Sequence, residues 1–272
     1  MRPWGARPIT TTEPLVRMDH AMAVWWRNVA VYRRTWALNL LPNFFEPVLY
    51  LVGMGLGLGA YLEGGFSGDV YLAFIGPGLM AAAGMNGAIF ETTYNMFVRI
   101  HMGKVYDAYL TTPAMLTDIA LGEVLWATTR AFIYGMGFWI ILVAMSLAGR
   151  PILTSPWALL MPVALVLTGF LFSLVGAVYT AHIKNINTFS YFFTLFITPL
   201  FLFSGIFYPT DRFPFGDEIA WCTPLYHAVR LMRALANGLL DGRHVVDVIW
   251  MIVASAILAF LLPRGLRKRL VA

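Results

Sequence analysis

The chain has 272 residues, of which 59% are hydrophobic and only 12% are charged, and its mean hydropathy is +0.70. A soluble domain is about half apolar and about a quarter charged, so this composition excludes a soluble domain and indicates an integral membrane protein. The single cysteine excludes an internal disulfide and a multi-cysteine metal site, and the five histidines show no metal-ligand spacing, so we expect no metal on this chain.

The first element is an amphipathic helix predicted over residues 17–36, at the end of a cytoplasmic N-terminus that covers 1–36. Its apolar side chains follow one another at steps of three and four residues. They are Met18, Met22, Trp25, Val29, Tyr32 and Trp36. We expect this helix to lie in the headgroup layer, either as a lipid-anchored lead-in to the first membrane span or also as a contact surface for a cytoplasmic partner.

Six charge-poor runs follow, and each is predicted to cross the membrane, because a helix needs about 20 mostly apolar residues to do so. The runs cover 47–62, 70–90, 131–149, 151–181, 185–210 and 248–263. They form a transmembrane domain over 37–263, and a basic cytoplasmic tail over 264–272 follows it. The predicted fold class is therefore an all-α integral membrane protein with six transmembrane helices.

Lysine and arginine residues are concentrated in both termini and in the connections on the same side of the membrane. Because basic residues are retained in cytoplasmic loops, this distribution places both termini in the cytoplasm. Topology therefore accounts for the net charge of +5, and a nucleic-acid partner is not expected.

The longest cytoplasmic connection, over residues 97–120, is too apolar for a free linker. It is predicted to hold a short helix from Tyr106 to Leu110 that stops before Pro113. Thr117 is the expected cap of the next helix. A partly apolar helix outside the membrane needs a cover, which is either the underside of the protein's own bundle or a partner.

The external region over 205–243 is predicted to contain a helix with Thr223 as its N-cap and Pro224 as its first residue. The pair Asn237–Gly238 is expected to end this helix. Its apolar face consists of Leu225, Val229, Met232 and Ala236. Such a helix either dips into the outer leaflet or lies along it.

Six short motifs occur in order along nearly the whole chain. They are Asn43–Tyr50 leading into Gly53–Gly59, Phe74–Leu79, Phe90–Tyr94, Gly122–Trp126, Phe203–Pro209 and Thr223–Arg230. With these motifs at this spacing, the chain resembles the type 2 ABC exporter permeases. Within that family it resembles the nodulation-factor (lipo-oligosaccharide) exporter permeases.

The resemblance implies roles for three of the predicted elements. Helix 17–36 is similar to the family's interface helix and 103–113 to its coupling helix, both of which dock on a separate nucleotide-binding subunit. The external segment 205–243 is similar to a pair of re-entrant helices before the sixth span. The residues implied in the coupling contact are Lys104, Val105, Tyr106, Asp107, Tyr109, Leu110, Trp25 and Arg27.

The resemblance also implies partners and a cargo. The chain has no G-x-x-x-x-G-K-[ST] phosphate loop, because Gly103–Lys104 lacks the earlier glycine and the following Ser or Thr. ATP and Mg²⁺ are therefore expected on the partner, and no cofactor is expected on this chain. The implied assembly is two copies of this chain with two ABC ATPase subunits in the bacterial inner membrane, exporting an amphipathic lipid-linked oligosaccharide or a similar molecule.

Two other functions stay open at this point. A drug or antibiotic efflux permease of the same family has the same composition, so composition does not separate the cargoes. A membrane-embedded glycolipid transferase needs catalytic acids on an interfacial loop. Asp211, Asp217 and Glu218 are external acids, but they form no paired metal-ligand motif, so we expect a transport subunit without catalytic residues.

Ionisable residues inside the spans are costly in lipid, so each is a candidate functional residue. Glu91 and Arg130 lie at similar depth in spans two and three, and we expect them to form an ion pair. This pair either locks the two spans together or takes part in gating or substrate contact. Glu123 is expected nearer the cytoplasm, at the interface. Glu46, just before Pro47, is either an acidic cap or a polar point on the translocation path.

Span five is rich in aromatic side chains, and four of them recur at steps of three and four residues. They are Phe189, Phe192, Phe193 and Phe196. Such a stripe either packs inside the protein or faces lipid, or it lines the seam of a dimer. Sugars and acyl chains slide well along aromatic faces, so in the second case the stripe belongs to the translocation path.

Overall fold

The computed structural model describes residues 16–57, 68–212 and 214–270, and the regular structure within these ranges is helical, with no strand. This confirms the predicted all-α class. The helices are numbered in chain order. They are α1 (Met18–Tyr50, continued by a π-helical segment over Leu51–Gly57), α2 (Gly68–Phe90, continued through a π-helical turn over Glu91–Asn95 to Met96–His101), α3 (Val105–Leu110), α4 (Leu116–Leu147), α5 (Met161–His182, preceded by a 3₁₀ turn over Pro156–Leu160), α6 (Thr188–Phe203), α7 (Gly216–Trp221), α8 (Pro224–Asn237) and α9 (Gly242–Leu270).

Four helical stretches within the described ranges are long and apolar enough to cross a membrane. They are Asp69–His101, Leu116–Leu147, Pro156–His182 and Gly242–Lys268. α6 is apolar but shorter, and the first predicted span, 47–62, falls partly outside the described residues. The protein is therefore a membrane protein with several spanning helices, and the count of six remains a prediction.

Three of the spanning helices, α2, α4 and α9, are longer than their charge-free runs. α2 continues beyond the predicted span 70–90, through Glu91, to His101. α9 likewise extends well past both ends of the predicted span 248–263. Counting charge-free residues underestimates α2 because its charged side chains are paired inside the protein and do not need to leave the membrane.

α1 is continuous, so the predicted amphipathic helix over 17–36 has no boundary with the segment that leads towards the first span. Three buried residues at steps of three and four mark the face that packs on α4. They are Ala21, Val24 and Asn28. Met18 and Met22, on the predicted apolar face, are exposed instead. The packing face is set by Gly122 of α4, where an added Cβ would lie 2.6 Å from the carbonyl oxygen of Ala21.

The connection between α2 and α4 confirms one prediction and corrects another. α3 is the predicted short helix between the two spans. The prediction of Thr117 as the cap of α4 is wrong, because the Asp118 carboxylate takes that role. It accepts the backbone N–H of Met115 at 3.0 Å and that of Arg17 at 2.7 Å, so one buried carboxylate fastens the start of α1 to the start of α4.

α8 confirms the helix predicted in the external region at both of its ends. It begins directly after Thr223 and is ended by Gly238, whose φ of 75° lies in the left-handed region that glycine adopts freely. The four residues of the predicted apolar face are at most 1% exposed. They are buried because α8 packs into the bundle beside α2.

α2 is the central helix of the described structure and packs against α1, α4, α5 and α8. Small residues allow this close packing, as is common between membrane helices. An added Cβ on Gly84 of α2 would lie 2.5 Å from a methyl group of Leu165 of α5. An added Cβ on Gly169 of α5 would lie 2.6 Å from the Cβ of Ala131 of α4. The helices therefore approach one another at glycines.

We expect Gly87→Ala to destabilise the protein by about 1–3 kcal/mol, because the core is overpacked by the added methyl group. That group would lie 2.5 Å from the Tyr134 ring and 3.1 Å from the Cα of Ala131, and a backbone atom cannot move aside as a side chain does. The measurement is the apparent melting temperature in detergent. Gly53→Ala is the control, since no atom lies within 4 Å of its added Cβ. Equal melting temperatures for the two variants would contradict this packing.

Candidate functional site

Two glutamates and two arginines from α2 and α4 form one buried ion-pair network. Arg99 Nη2 lies 2.7 Å from Glu91 Oε1 and 2.6 Å from Glu123 Oε2, so one guanidinium joins both carboxylates. Arg130 Nη1 donates to Glu91 Oε2 at 2.5 Å. Glu91 and Glu123 are each 1% exposed and Arg130 is 3% exposed. The structure confirms the pair of Glu91 with Arg130, while its part in gating stays a prediction.

The local structure of α2 brings the charged groups of this helix onto one face. Glu91 opens the π-helical turn, and Asn95, four residues later, and Arg99, eight residues later, both reach its carboxylate. Asn95 Nδ2 donates to Glu91 Oε2 at 2.7 Å. The hydroxyls of Thr92 and Thr93 donate to carbonyl oxygens in the preceding turn. π-helical turns of this kind are common at functional sites.

α1 contributes an uncharged partner that the sequence did not reveal. Asn28 Nδ2 donates to Glu123 Oε2 at 3.2 Å, so α1 is joined to the same network as α2 and α4. Trp25 Nε1 donates to the Thr129 hydroxyl at 3.0 Å, which turns this predicted coupling residue towards α4. In the sequence, Asn28 is marked only by its spacing from Ala21 and Val24, which places the three on one face of α1. That this face is the one that packs on α4 follows from the contact of Ala21 and Val24 with Gly122.

The structure corrects the expectation for Glu123, whereas the expectation for Glu46 concerns a side chain outside the described residues. Glu123 was expected at the interface, but its carboxylate is buried within the protein because Arg99 and Asn28 both reach it. Glu46 lies within α1, but its side chain is outside the described residues, so its position on a translocation path remains a prediction.

α3 has one inward and one outward side. Tyr106 is fully buried against Ile100, Ile119 and Val124, so it anchors α3 to the bundle. Its hydroxyl is buried without a hydrogen-bond partner among the described residues. Burial, together with the carboxylate of Glu123, raises the pKa of Tyr106 well above its ordinary value, so the hydroxyl keeps its proton.

The other residues predicted for the coupling contact divide by exposure. Lys104, Asp107 and Leu110 are exposed, whereas Val105, Tyr109 and Arg27 are half-buried. Lys104 has a φ of 45° where the chain turns into α3. The exposed set forms the outward surface of α3.

The four phenylalanines of the predicted stripe lie in different surroundings. Phe189 is buried and its ring lies 4.9 Å from that of Tyr94. Phe192 is also buried and stacks on Tyr179 at 4.2 Å, while Phe196 is 40% exposed. Phe193 stacks on Phe90 at 5.2 Å. A π-helical turn over Phe193–Ile197 lies within the stripe, yet three of its rings stay in contact, since the centroid of Phe192 lies 5.8 Å from that of Phe193 and 5.4 Å from that of Phe196. The place of the stripe in a dimer seam or a translocation path stays a prediction.

A cavity of about 480 Å³ lies between the end of α1, α2 and α6. Half of its described lining is aromatic, and Asn86 and Thr198 add two polar side chains. The aromatic members are Tyr50, Phe90, Phe193, Phe201, Phe207 and Tyr208. Of the predicted stripe Phe193 lines the cavity, and the later residues of α6 line it with residues of α1 and α2.

A second buried polar group lies at the opposite end of the bundle. His227 and Asp247 are fully buried, and His227 Nδ1 lies 2.7 Å from Asp247 Oδ1. Arg230 Nε donates to Asp247 Oδ2 at 2.9 Å, so two residues of α8 hold one carboxylate of α9. The sequence assigned His227 no role, because its partner lies 20 residues away.

Within the described part of the chain, no group of three or more His, Cys, Asp or Glu side chains is arranged to hold a metal ion. Glu91, Glu123, Arg99 and Arg130 are instead bound to one another. The arrangement can transmit a displacement between helices, since one guanidinium is shared by α2 and α4. It presents no nucleophile activated by a neighbouring base.

Comparison with known proteins places the chain among membrane transport proteins. Residues 20–236 match the family described as ABC-2 type transporter. The chain is 36% identical to Nodulation protein J of Rhizobium leguminosarum bv. trifolii over 252 residues, which cover 91% of this chain and 92% of that protein. Nodulation protein J of Sinorhizobium fredii is 32% identical over 91% of this chain and 92% of its own length. The Inner membrane transport permease YadH of Escherichia coli is 26% identical over 80% and 83%.

We expect Glu91→Gln to destabilise the protein by about 3–5 kcal/mol, because it leaves the buried charge of Arg130 without a carboxylate. Arg130→Gln should cost less, because Glu91 keeps its ion pair with Arg99. The double variant should lose less than the sum of the two single losses. Melting temperature and folded yield in detergent measure both effects. The exposed pair Asp69–Arg150, at 2.9 Å, is the control and should contribute at most about 1 kcal/mol. Additive losses at the buried pair would show that the two residues do not interact.

We expect Tyr106→Phe to leave the melting temperature unchanged or to raise it. An unpartnered buried hydroxyl costs about 1–3 kcal/mol, and this substitution removes only that oxygen. Tyr134→Phe is the matched control, because the buried Tyr134 hydroxyl accepts a hydrogen bond from Arg130 and its removal should lower the melting temperature. A larger loss of stability in the Tyr106 variant than in the Tyr134 variant would contradict the structure.

Proposed function

The chain belongs to the ABC-2 type transporter family, and from this premise we propose that it is the membrane-spanning permease subunit of an ATP-driven exporter. The family match over most of the chain carries this proposal. The long apolar helices support it, because they supply the wall of a pathway through the membrane. ATP and Mg²⁺ are bound by a separate ABC ATPase subunit, in keeping with the lack of a phosphate loop in the sequence.

The proposed topology has six spans with both termini in the cytoplasm of a bacterium and the spans in its inner membrane. The six spans are the four long helices, α6 and the predicted first span over 47–62. α6 is short for a span, and the buried residues Ser204 and Ile206 continue its path into the bundle. The proposed divisions are the N-terminus with its interface helix over 1–36, the transmembrane domain over 37–263 and the basic tail over 264–272.

The proposed assembly is a homodimer with two ATPase subunits. α3 is the coupling helix, and its outward residues Lys104, Asp107 and Leu110 contact the ATPase. Tyr106 turns inward from the same helix and packs beside α4, so a displacement of α3 moves the helices that the buried ion pairs join. The half-buried Arg27 on α1 lies next to this region, as the interface-helix role requires.

The proposed cargo is an amphipathic lipid-linked oligosaccharide, and the 480 Å³ cavity is part of its path. Aromatic rings offer contact to sugar rings and acyl chains without fixing them by hydrogen bonds. Asn86 and Thr198 add two polar groups for sugar hydroxyls. A drug or antibiotic is the second candidate cargo, because the same lining is mostly apolar and suits a hydrophobic molecule.

The cargo is tested in proteoliposomes that contain the chain and its ATPase, supplied with an acylated oligosaccharide or with a hydrophobic drug. We expect ATP-dependent transport of the acylated oligosaccharide, reduced about 10-fold in Phe193→Ala through loss of ring contacts. Phe196→Ala is the control, since Phe196 lies outside this cavity. Transport of the drug alone favours the second candidate, and unchanged transport in the Phe193 variant would exclude this path.

The coupling contact is tested with the double variant Asp107→Ala, Leu110→Ala on the exposed side of α3. We expect loss of co-purification with the ATPase at an unchanged melting temperature, because neither side chain is buried. The matched control is Glu218→Ala, Ile219→Ala, an exposed acid and an exposed aliphatic residue of α7 at the opposite end of the bundle. If the ATPase stays bound and fully coupled in the α3 variant, α3 is not the contact.

A further inference from the structure

A second cavity, of about 260 Å³, lies between α1, α2 and α4 and has a different chemistry from the aromatic one. Three arginines line it, one from each helix: Arg27, Arg99 and Arg130. Glu91 is the one acidic residue in its described lining, and Asn28 and Asn95 add amide groups. The cavity therefore carries an excess of positive charge.

The Glu91 carboxylate in this cavity is already bound by neighbouring side chains. Arg99 lies 2.7 Å from Glu91 Oε1, while Arg130 and Asn95 both donate to Oε2. Arg27 donates to the Asn28 side-chain oxygen at 3.0 Å, and it also interacts with the Tyr109 hydroxyl and is attracted by the Glu123 carboxylate behind the cavity wall. Three guanidinium groups therefore share two carboxylates, Glu91 and Glu123, and one positive charge is in excess.

Two of the arginines that line the cavity have an unused hydrogen-bond donor. The Nε atoms of Arg99 and Arg130 have no hydrogen-bond partner among the described residues, and they lie behind the cavity surface, while the residues themselves line it. A buried guanidinium donor is costly unless an acceptor reaches it, and a guanidinium favours oxyanions because its donors match their geometry.

The rim of the cavity differs from its interior. Val31 of α1 and Val98 of α2 line it and are exposed, so an apolar edge leads to the charged interior. Arg99 lies near the end of α2, two residues before His101, on the side of the bundle where α3 lies. A charged group that enters here can keep an attached acyl chain beside the two valines, within the membrane.

We infer that this cavity binds the anionic phosphate headgroup of an amphiphile from the leaflet at the α3 end of the bundle. The headgroup oxygens accept from Arg27 and from the guanidinium groups of Arg99 and Arg130, which line the cavity. The acyl chain lies along Val31 and Val98. This site does not depend on which cargo the protein exports, so its test is independent of the proposed function.

The test uses the full chain in a neutral detergent, without the ATPase, and follows the melting temperature. The probes are dioctanoyl phosphatidylglycerol, dioctanoyl phosphatidylcholine and inorganic phosphate. We expect phosphatidylglycerol to stabilise the protein and phosphatidylcholine to have no comparable effect. Arg27→Gln should weaken the apparent affinity for phosphatidylglycerol about 10-fold, through loss of one charge-assisted hydrogen bond. Arg27→Lys, which keeps the charge, should bind more tightly than Arg27→Gln.

Arg264→Gln is the matched control, because Arg264 is an exposed arginine at the same end of the bundle that donates to the Phe260 carbonyl and lies outside the cavity. It should bind phosphatidylglycerol as the unmodified chain does. Stabilisation by inorganic phosphate that also depends on Arg27 supports the site and identifies a free anion as its ligand. Stabilisation by phosphatidylglycerol alone identifies a lipid. Equal binding of the two lipids, or unchanged binding in Arg27→Gln, overturns the inference.

Discussion

The pairing of charges inside the helix bundle is the constraint on which the other features depend. A carboxylate or a guanidinium between membrane helices is costly unless an opposite charge lies beside it. Arg99 meets both Glu91 and Glu123, and Arg130 meets Glu91, so α2 and α4 are held in one relative position. Asn28 joins α1 to the same group. Three helices that begin far apart in sequence therefore share one set of contacts.

This network divides two cavities of different chemistry. Phe90 lines the aromatic cavity and Glu91, the next residue, lines the polar one. The π-helical turn begins between these two residues, so the change in helical form coincides with the change from apolar to charged lining. A pathway with an apolar and a charged part suits an amphipathic molecule better than a wholly apolar or wholly polar one.

The two ends of the bundle are fastened by different means. At the α3 end, the Asp118 carboxylate binds backbone groups of two chain segments, and Tyr106 anchors α3 by apolar packing. At the opposite end, α8 is held by its apolar face and by the contacts of His227 and Arg230 with Asp247. α3 has an exposed outward face at Lys104, Asp107 and Leu110, whereas α8 is buried within its own chain. Under the proposed function, movement imposed by a partner enters through α3.

The sequence by itself determined the helical class, the membrane setting, the limits of α3 and α8, and the partnership of Glu91 with Arg130. These follow from local or near-local rules, namely hydropathy, capping residues and the cost of a charge in lipid. Only the tertiary structure decided that Glu123 is buried, that Asn28 supports it and that, of the four predicted phenylalanines of α6, Phe193 lines the aromatic cavity. Those outcomes depend on where glycines such as Gly122 let helices touch and where π-helical turns change the phase of a helix. Neither the contact nor the change of phase is encoded in the spacing of apolar residues along a single helix.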